Sequence, residues 1–433
     1  MIPYAAAGPA SRSEGPRILV VSEYFPDDLQ RSVYGTFQRL RILLEAARTV
    51  GGVDLLFFWA GHAVVAEEVE RRYADIAAAW KIDGAMWVCG TKRLAGGPVI
   101  LRRLADLPWV MRGIVGFYGG RPTIHSCGKA QGQVTRLALA ELRPNLVVAH
   151  RQGAMAALRR AGVPLPPVVI DVDDLDHVGL QRAALQAPDL AVRLSASAWS
   201  IMARLAERRS VRLSRTALVC SEVDREKLLA LAPGADVRVL PNAVDVLPLA
   251  PLPDDPVVVF IGVFRYPPNA EAALWFMQGS WPLIRAAIPA ARLLFVGEDG
   301  DSLLDSIPPR MGIEVRGFVD SLQEIYANAR LVVCPIRRGS GTRIKIIEAA
   351  AYGRPVVATT VGAEGLEFSN GREILIRDQP DDFAQACVSL LRDKAASEKL
   401  GRAARDVVSA KYSRAGAVAL ASRIISEAML TTA

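Results

Sequence analysis

The sequence predicts an α/β protein built from two doubly wound parallel-sheet domains, and three observations carry that expectation. A chain of 433 residues is longer than one compact core normally serves. Short, uninterrupted apolar runs recur along it, which is the pattern of strands covered on both faces. Helical stretches separate most of these runs, as the crossovers of a parallel sheet require. At 51% hydrophobic and 22% charged residues, the composition is that of a globular chain rather than a disordered one.

Taken in order, a polar tail is expected up to Pro16, and RILVVSEYF (17–25) is the first strand. A polar loop with Gly35 leads into a helix over 36–49. LLFFW (55–59), MWVCG (86–90), LVVAH (146–150), VVIDV (168–172) and ALVCS (217–221) repeat the strand character. Helices over 65–80, 130–142, 152–161 and 195–214 alternate with them. The segment PLAPLPDDP (248–256), rich in proline and carrying two adjacent aspartates, reads as a stiff exposed linker. It sets the expected domains at 1–250 and 251–412. In the second, VVVFIG (257–262), LLFVG (293–297), EVRGF (314–318), LVVCP (331–335), PVVAT (355–359) and ILI (374–376) are strands. Helices are expected over 269–287, 380–392 and 395–410, and a final amphipathic helix over 413–433 packs back on the first domain.

Five scattered cysteines without C-x-x-C spacing make a poor disulfide framework and a poor zinc site, so a reducing cytoplasm is expected. The N-terminus lacks the apolar core of a signal peptide, and no run of 18 apolar residues occurs. Residues 1–250 carry 31 Lys and Arg against 24 Asp and Glu, whereas 251–433 carry 21 of each. The basic half points either to an anionic partner, such as a membrane surface or phosphorylated acceptor, or to a merely soluble Arg-rich surface. No nucleic-acid-binding motif accompanies the charge, so no nucleic-acid partner is expected. Within that half, 92–121 mixes six basic residues (Arg102, Arg103 and Arg112 among them) with one acid and an apolar stripe. It reads either as a helix at a membrane interface or as a packed helix pair with a solvated basic face.

The densest chemical signal is PIRRGSGTRIKIIEAAAYG (335–353). A strand ends at Pro335, and a Gly-x-Gly loop opens into a helix. Gly339 and Gly341, on either side of Ser340, let backbone amides approach a ligand closely, and the helix N-terminus favours a phosphate there. Arg343 and Lys345 follow Thr342 in the first turn, where the helix dipole prefers acids. Cations placed against that preference imply an anion to hold. Glu348 lies in otherwise apolar helix, where a carboxylate needs a partner: either a ribose diol or an internal ion pair with Arg343 or Lys345.

This segment resembles the donor-site motif of the retaining glycosyltransferases of family 4, which share the fold called GT-B, two Rossmann-like domains facing across a cleft. ERRSVRLSRTALVCSEVDREKL (207–228), VRVLPNAVD (237–245), FIGVFRYPPNAEAALWF (260–276), LLFVGEDG (293–300) and GFVDSLQEIYANARLVVCP (317–335) are similar to that family's blocks in order and spacing. The resemblance covers almost all of 207–412. It implies that Glu348 holds the donor ribose, that Lys345 and Arg265 stabilise the leaving nucleoside diphosphate without a metal, and that 339–343 form the donor loop. The family's first motif glutamate is here Ser340, and its usual Asn-Gly is Asn242-Ala243.

In the first domain the opening strand, Gly35 and a D-x-D-D cluster are similar to the family. His150 ends its strand at the carboxyl edge, where ligands bind in such sheets; it is a site residue beneath the donor sugar or a capping or core histidine. Asp171, Asp173 and Asp174 read as acceptor-hydroxyl contacts or helix caps rather than a metal site. His125 and His177 are expected on the surface. The resemblance implies transfer of a sugar from a nucleoside-diphosphate donor, with retention, to a glycan, lipid-linked or small-molecule acceptor. No cofactor or metal is expected. The setting would be surface-glycan assembly at the cytoplasmic face of the membrane. The alternatives are an epimerase or hydrolase of the same fold, and a non-catalytic sugar-nucleotide-binding protein.

Overall fold

The computed structural model of the protein describes residues 4–8, 15–26, 28–29, 35–60, 64–91, 127–187, 190–249, 251–301, 303 and 311–430. The chain forms two compact units, Met1–Leu240 with Val418–Ala433, and Pro241–Ala417. Both are parallel α/β sheets covered by helices. Residues 92–121 and His125 lie outside the described residues.

Unit 1 holds eight strands: β1 (Tyr4–Ala7), β2 (Arg17–Ser22), β3 (Gly52–Ala60), β4 (Met86–Thr91), β5 (Leu146–His150), β6 (Val168–Asp173), β7 (Thr216–Val219) and β8 (Val237–Val239). Their order is β1-β4-β3-β2-β5-β6-β7-β8, and every pairing except β1 with β4 is parallel. The central runs of β2 and β5 are buried throughout, as the continuous apolar stretches require. Helices α1 (Gly35–Val50), α2 (Ala66–Trp80), α3 (Lys129–Leu142), α4 (Arg151–Ala161), α5 (Asp176–Leu185), α6 (Leu190–Leu213) and α7 (Glu222–Leu231) connect them among the described residues.

Two differences from the sequence reading stand out here. Part of the expected polar tail, YAAA, forms the edge strand β1, because Tyr4 stacks flat on Trp87 at 5.3 Å while the alanines fit closely along β4. His177 is not a surface loop residue: it lies in the first turn of α5, buried, with Nδ1 2.5 Å from the fully buried Glu207 of α6.

Unit 2 is a six-stranded sheet of β9 (Val257–Ile261), β10 (Arg292–Val296), β11 (Ile313–Arg316), β12 (Leu331–Cys334), β13 (Val356–Ala358) and β14 (Leu375–Ile376), all parallel in the order β11-β10-β9-β12-β13-β14. Its helices are α8 (Pro267–Trp275), α9 (Trp281–Ala287), α10 (Leu322–Ala327), α11 (Ile344–Ala351), α12 (Pro380–Arg392), α13 (Lys394–Lys411) and the start of α14 (Arg414–Leu430). The expected single helix over 269–287 is broken by a π-helical turn at Phe276–Ser280. Pro282 has no N–H for the carbonyl four residues back, and the wider turn accommodates the loss. Gly279 there lets Pro380 approach, since a β-carbon would meet it at 3.0 Å.

The division between the units falls at Leu240, ten residues before the expected boundary. The Pro-rich segment is tied to unit 2, because two buried arginines hold its carbonyls and a half-buried one holds the residue just before it. Arg354 donates to Pro251 O at 3.1 Å, Arg330 to Pro253 O at 3.1 Å, and Arg405 to Leu247 O. Proline-rich backbone has carbonyls but few N–H groups, so guanidinium donors are its natural partners. At the other end, residues from Val418 group with unit 1, where Ser422 accepts from Thr49 Oγ1 at 2.8 Å and Glu427 pairs with Arg238.

Candidate active site

In each sheet the strand order reverses once, and loops leaving the two strands at that point diverge and open a crevice at their carboxyl ends. In unit 2 the reversal lies between β9 and β12. It brings together the loop after β9, which carries Arg265, and the 335–343 loop after β12, which leads into α11.

Gly339 (φ 103°) and Gly341 (φ 73°) both take left-handed backbone, which explains why the loop needs glycine at these places. Arg343 is the N-cap residue of α11 and folds back on the loop: its guanidinium donates to Ser340 O, to Gly341 O at 2.8 Å and to Arg338 O at 3.2 Å. It therefore shapes the turn, and Thr342 is fixed by Asn242, whose amide donates to its hydroxyl at 2.9 Å. Arg338 is itself paired with Glu271.

Lys345 is the second residue of α11 and reaches across to the loop after β9. Its Nζ donates to Asn269 Oδ1 at 3.0 Å and sits 4.8 Å from the centre of the Phe260 ring. No carboxylate among the described residues lies within ion-pair distance of it. Burial, reinforced by Arg343, pushes its pKa down to about 8, with Cys334 and Glu348 opposing. Asn269 is held by its own donation to Val263 O at 2.9 Å. Gly262 leaves room for this contact: a β-carbon there would lie 2.9 Å from the Asn269 amide and 3.1 Å from Lys345 Nζ. Gly297 (φ 135°) packs its backbone directly on Gly262 O, tying the loops after β9 and β10 together.

Arg265 stands on the exposed side of this loop, 2.5 Å from Glu298 and 3.0 Å from Asp299. Its side chain is 60% exposed, so it is available to a ligand only in competition with two acids. Glu348, one turn further along α11 than Lys345, accepts from Tyr326 Oη at 3.1 Å. Burial and the Glu348 charge raise the Tyr326 pKa, keeping that phenol a donor. Neither ion pair proposed for Glu348 from sequence forms; a tyrosine from α10 takes that place. Asn269, Phe260, Tyr326, Glu298 and Asp299 were not singled out from sequence. Each comes from another βα unit, and the quoted blocks 260–276, 293–300 and 317–335 contained them without marking them out.

In unit 1 the reversal lies between β2 and β5. The register aligns Ser22, His150 and Asp171 across three neighbouring strands. His150 is fully buried, with Nδ1 2.9 Å from Ser22 Oγ and Nε2 unpartnered. Burial and Arg151 lower its pKa to about 3, so the ring is neutral throughout the physiological range. Arg151 has a left-handed φ of 69°, uncommon for a side-chain-bearing residue, and both amide atoms of Gln152 are buried without partners. Strain and unsatisfied polar atoms in three successive residues are features that accumulate at functional sites.

Asp171 does not have the free carboxylate that an acceptor contact needs. Both its oxygens receive Arg39 Nε at 2.8 Å, and Arg39 Nη1 donates to Leu240 O at 2.8 Å. Burial pushes the Asp171 carboxyl up while the guanidinium pulls it down; the ion pair is the form consistent with this geometry. Asp173 follows a register shift in β6 and has a left-handed φ of 58°, which turns it toward Arg151. Despite burial, Arg151 and Arg39 hold its carboxyl well below the usual range. Asp173, Asp174 and Cys220 converge closely enough to hold an ion, but Arg151 bridges the two carboxylates and burial keeps the thiol protonated. Gly35 begins α1.

Comparison with known proteins finds the same fold elsewhere. Residues 255–393 match the family described as glycosyl transferases group 1. An uncharacterized 44.6 kDa protein in the cps region of Klebsiella pneumoniae is 21% identical over 140 residues, a match spanning 30% of this chain and 36% of that protein. Sucrose-phosphate synthase from Thermosynechococcus elongatus superposes with a TM-score of 0.66 at 16% identity, covering 96% of this chain and all of that one (100%). Anabaena HepE, solved in complex with UDP, gives a TM-score of 0.62 at 13% identity over 95% of this chain and 100% of its own. The chain thus has the GT-B fold, and residues 255–393, within its second unit, match a glycosyltransferase family.

Proposed function

We propose that the protein transfers a sugar, a hexose by the family 4 resemblance, from a nucleoside-diphosphate donor to a glycan, lipid-linked or small-molecule acceptor with retention of configuration. The observation that carries this reading is Lys345, a half-buried ammonium with no carboxylate partner, set beside a left-handed glycine loop at a helix N-terminus. A desolvated cation without a counter-ion is stabilised by an arriving anion, and the amides and dipole of α11 add to the attraction. As the glycosidic bond breaks, negative charge develops on the β-phosphate. Lys345, with Arg265 released from Glu298 and Asp299, would neutralise it without a metal. Glu348, oriented by Tyr326, would take the ribose hydroxyls. His150, neutral, would offer Nε2 as a hydrogen-bonding group rather than as a cation.

The setting we propose is glycan assembly at the cytoplasmic side of a membrane, where the basic excess of 1–250 would meet anionic headgroups. The cps-region name of the Klebsiella relative agrees with it. No described helix is long and apolar enough to cross a bilayer.

A second reading, a sugar-nucleotide-binding protein without transfer, is favoured by one residue. Ser340 stands where the family has its first motif glutamate, and its carbonyl is engaged by Arg343. Thermal stabilisation by UDP, GDP, TDP and ADP identifies the nucleotide. Glu348→Ala and Lys345→Ala should then each weaken its binding by about 10- to 150-fold, the value of a hydrogen bond to a charged group. Unchanged affinity in both variants removes the assigned site; tight donor binding without hydrolysis or transfer selects the second reading.

A further inference from the structure

The exposed face of α6 in unit 1 carries a stripe that the sequence reading did not mark. The helix buries Met202, Ala203, Ala206, Glu207 and Ser210 on one side. On the other, Leu190 is 67% exposed, Leu194 61% and Ile201 56%, and Leu185, at the end of α5, is 74% exposed. At 3.6 residues per turn, Leu190, Leu194, Ile201, Arg204, Arg208 and Arg212 fall within an arc of about 80°. The stripe is therefore apolar in its first half and basic in its second. The three arginines are exposed, and no carboxylate among the described residues lies within ion-pair distance of them.

We propose that this stripe is where unit 1 lies on an anionic lipid surface. The proposal rests on the membrane setting put forward above for its context, and on this helix face for its content. From residue 190 to 212 the stripe is about 33 Å long, and a helix lying in the interface plane would present it whole. The apolar half meets the acyl boundary, and the guanidiniums meet phosphates at the same depth. A second copy of the stripe is a poorer occupant. Parallel pairing sets arginine against arginine, and full antiparallel pairing sets arginine against leucine. An anionic bilayer satisfies both halves together.

The test is flotation of the full chain with vesicles of phosphatidylglycerol and phosphatidylcholine in equal parts, against phosphatidylcholine alone. Three variants are compared: Leu194→Ser with Ile201→Ser; Arg204→Gln with Arg208→Gln and Arg212→Gln; and Arg102→Gln with Arg103→Gln and Arg112→Gln. All the stripe substitutions are at exposed positions, and an unchanged thermal midpoint verifies the fold. Wild type should bind only the anionic vesicles. The arginine variant of the stripe should lose roughly 100-fold in partitioning, at about 1 kcal/mol per basic residue near the surface. The apolar variant should lose roughly tenfold, about the value of a partly withdrawn aliphatic side chain or two. If wild type binds but both stripe variants bind equally well, the surface is wrong while the membrane setting stands. If wild type ignores anionic vesicles, both fail. Concentration-dependent dimerisation abolished by the Leu194/Ile201 variant would instead make the stripe a self-contact and overturn the proposal.

Discussion

Replacing Lys345 by methionine, which keeps the length of the side chain and removes its charge, should make the protein more stable and the donor site weaker. The folded-state pKa is lowered from 10.5 to about 8, mainly by burial. At about 1.4 kcal/mol per unit, the charged lysine destabilises the fold by at most about 3.5 kcal/mol, less what solvent at its exposed side screens. Methionine removes that cost but leaves Asn269 Oδ1 without its donor, which costs about 1 kcal/mol. The net gain at pH 7 is about 1–2 kcal/mol, or a few degrees in the melting temperature of unit 2. The pH dependence follows from the sign of the shift. Below pH 8 both folded and unfolded states carry the proton, so the cost is fully present. Between about 8 and 10.5 the unfolded state binds a proton that the folded state has released, and stability rises with pH. Above that window both are neutral and the cost is gone. Calorimetry of wild type and Lys345→Met at pH 7 and at pH 10 should show the variant ahead at pH 7 and the gap closing at pH 10. Nucleotide affinity should fall in the variant at pH 7, and in wild type as pH rises past 8. A variant that melts earlier than wild type at pH 7, or a gap that does not change with pH, would show that Lys345 is a structural cation.

Gly262→Ala should act on the same group from a distance: its methyl would push against Asn269 and Lys345, weakening nucleotide binding while unit 2 still folds, as titration of the nucleotide would show. Arg39→Met should cost about 3–5 kcal/mol, because it leaves Asp171 buried without its partner; a denaturation midpoint close to wild type would refute the assignment of that pair. Transfer should survive exhaustive chelation by EDTA, since the cations and the α11 terminus would supply what a divalent ion supplies elsewhere; activity restored only by manganese or magnesium would contradict this.

Much of the architecture was legible because buried parallel strands leave continuous apolar runs, and these place β2, β3, β4, β5, β9, β10 and β12 within a few residues of where they lie. The glycine loop and α11 were legible for a related reason: left-handed backbone and a helix start leave local marks at Gly339 and Gly341. What escaped was non-local. Nothing around Asp171 announces Arg39, 132 residues earlier. Tyr326 reaches Glu348 only because β12 brings α10 and α11 side by side. The register shift that re-aims Asp173 depends on β7, and the buried fate of His177 on a glutamate in the next helix. The anchoring of the linker is non-local too: Arg330 and Arg354, far along the chain, hold the carbonyls of Pro253 and Pro251.

The return of the chain at Val418 makes unit 1 discontinuous, and this bears on how the molecule is made. Residues 418–430 are made after every residue of unit 2, so unit 1 lacks one packing element until unit 2 has been synthesised through. Over that interval Ala46, Thr49 and Arg238 wait without Ser422 and Glu427. The unit translated first is therefore the one finished last. A purified chain truncated after Ala417 should carry a protease-resistant unit 2 behind an N-terminal unit more open to cleavage.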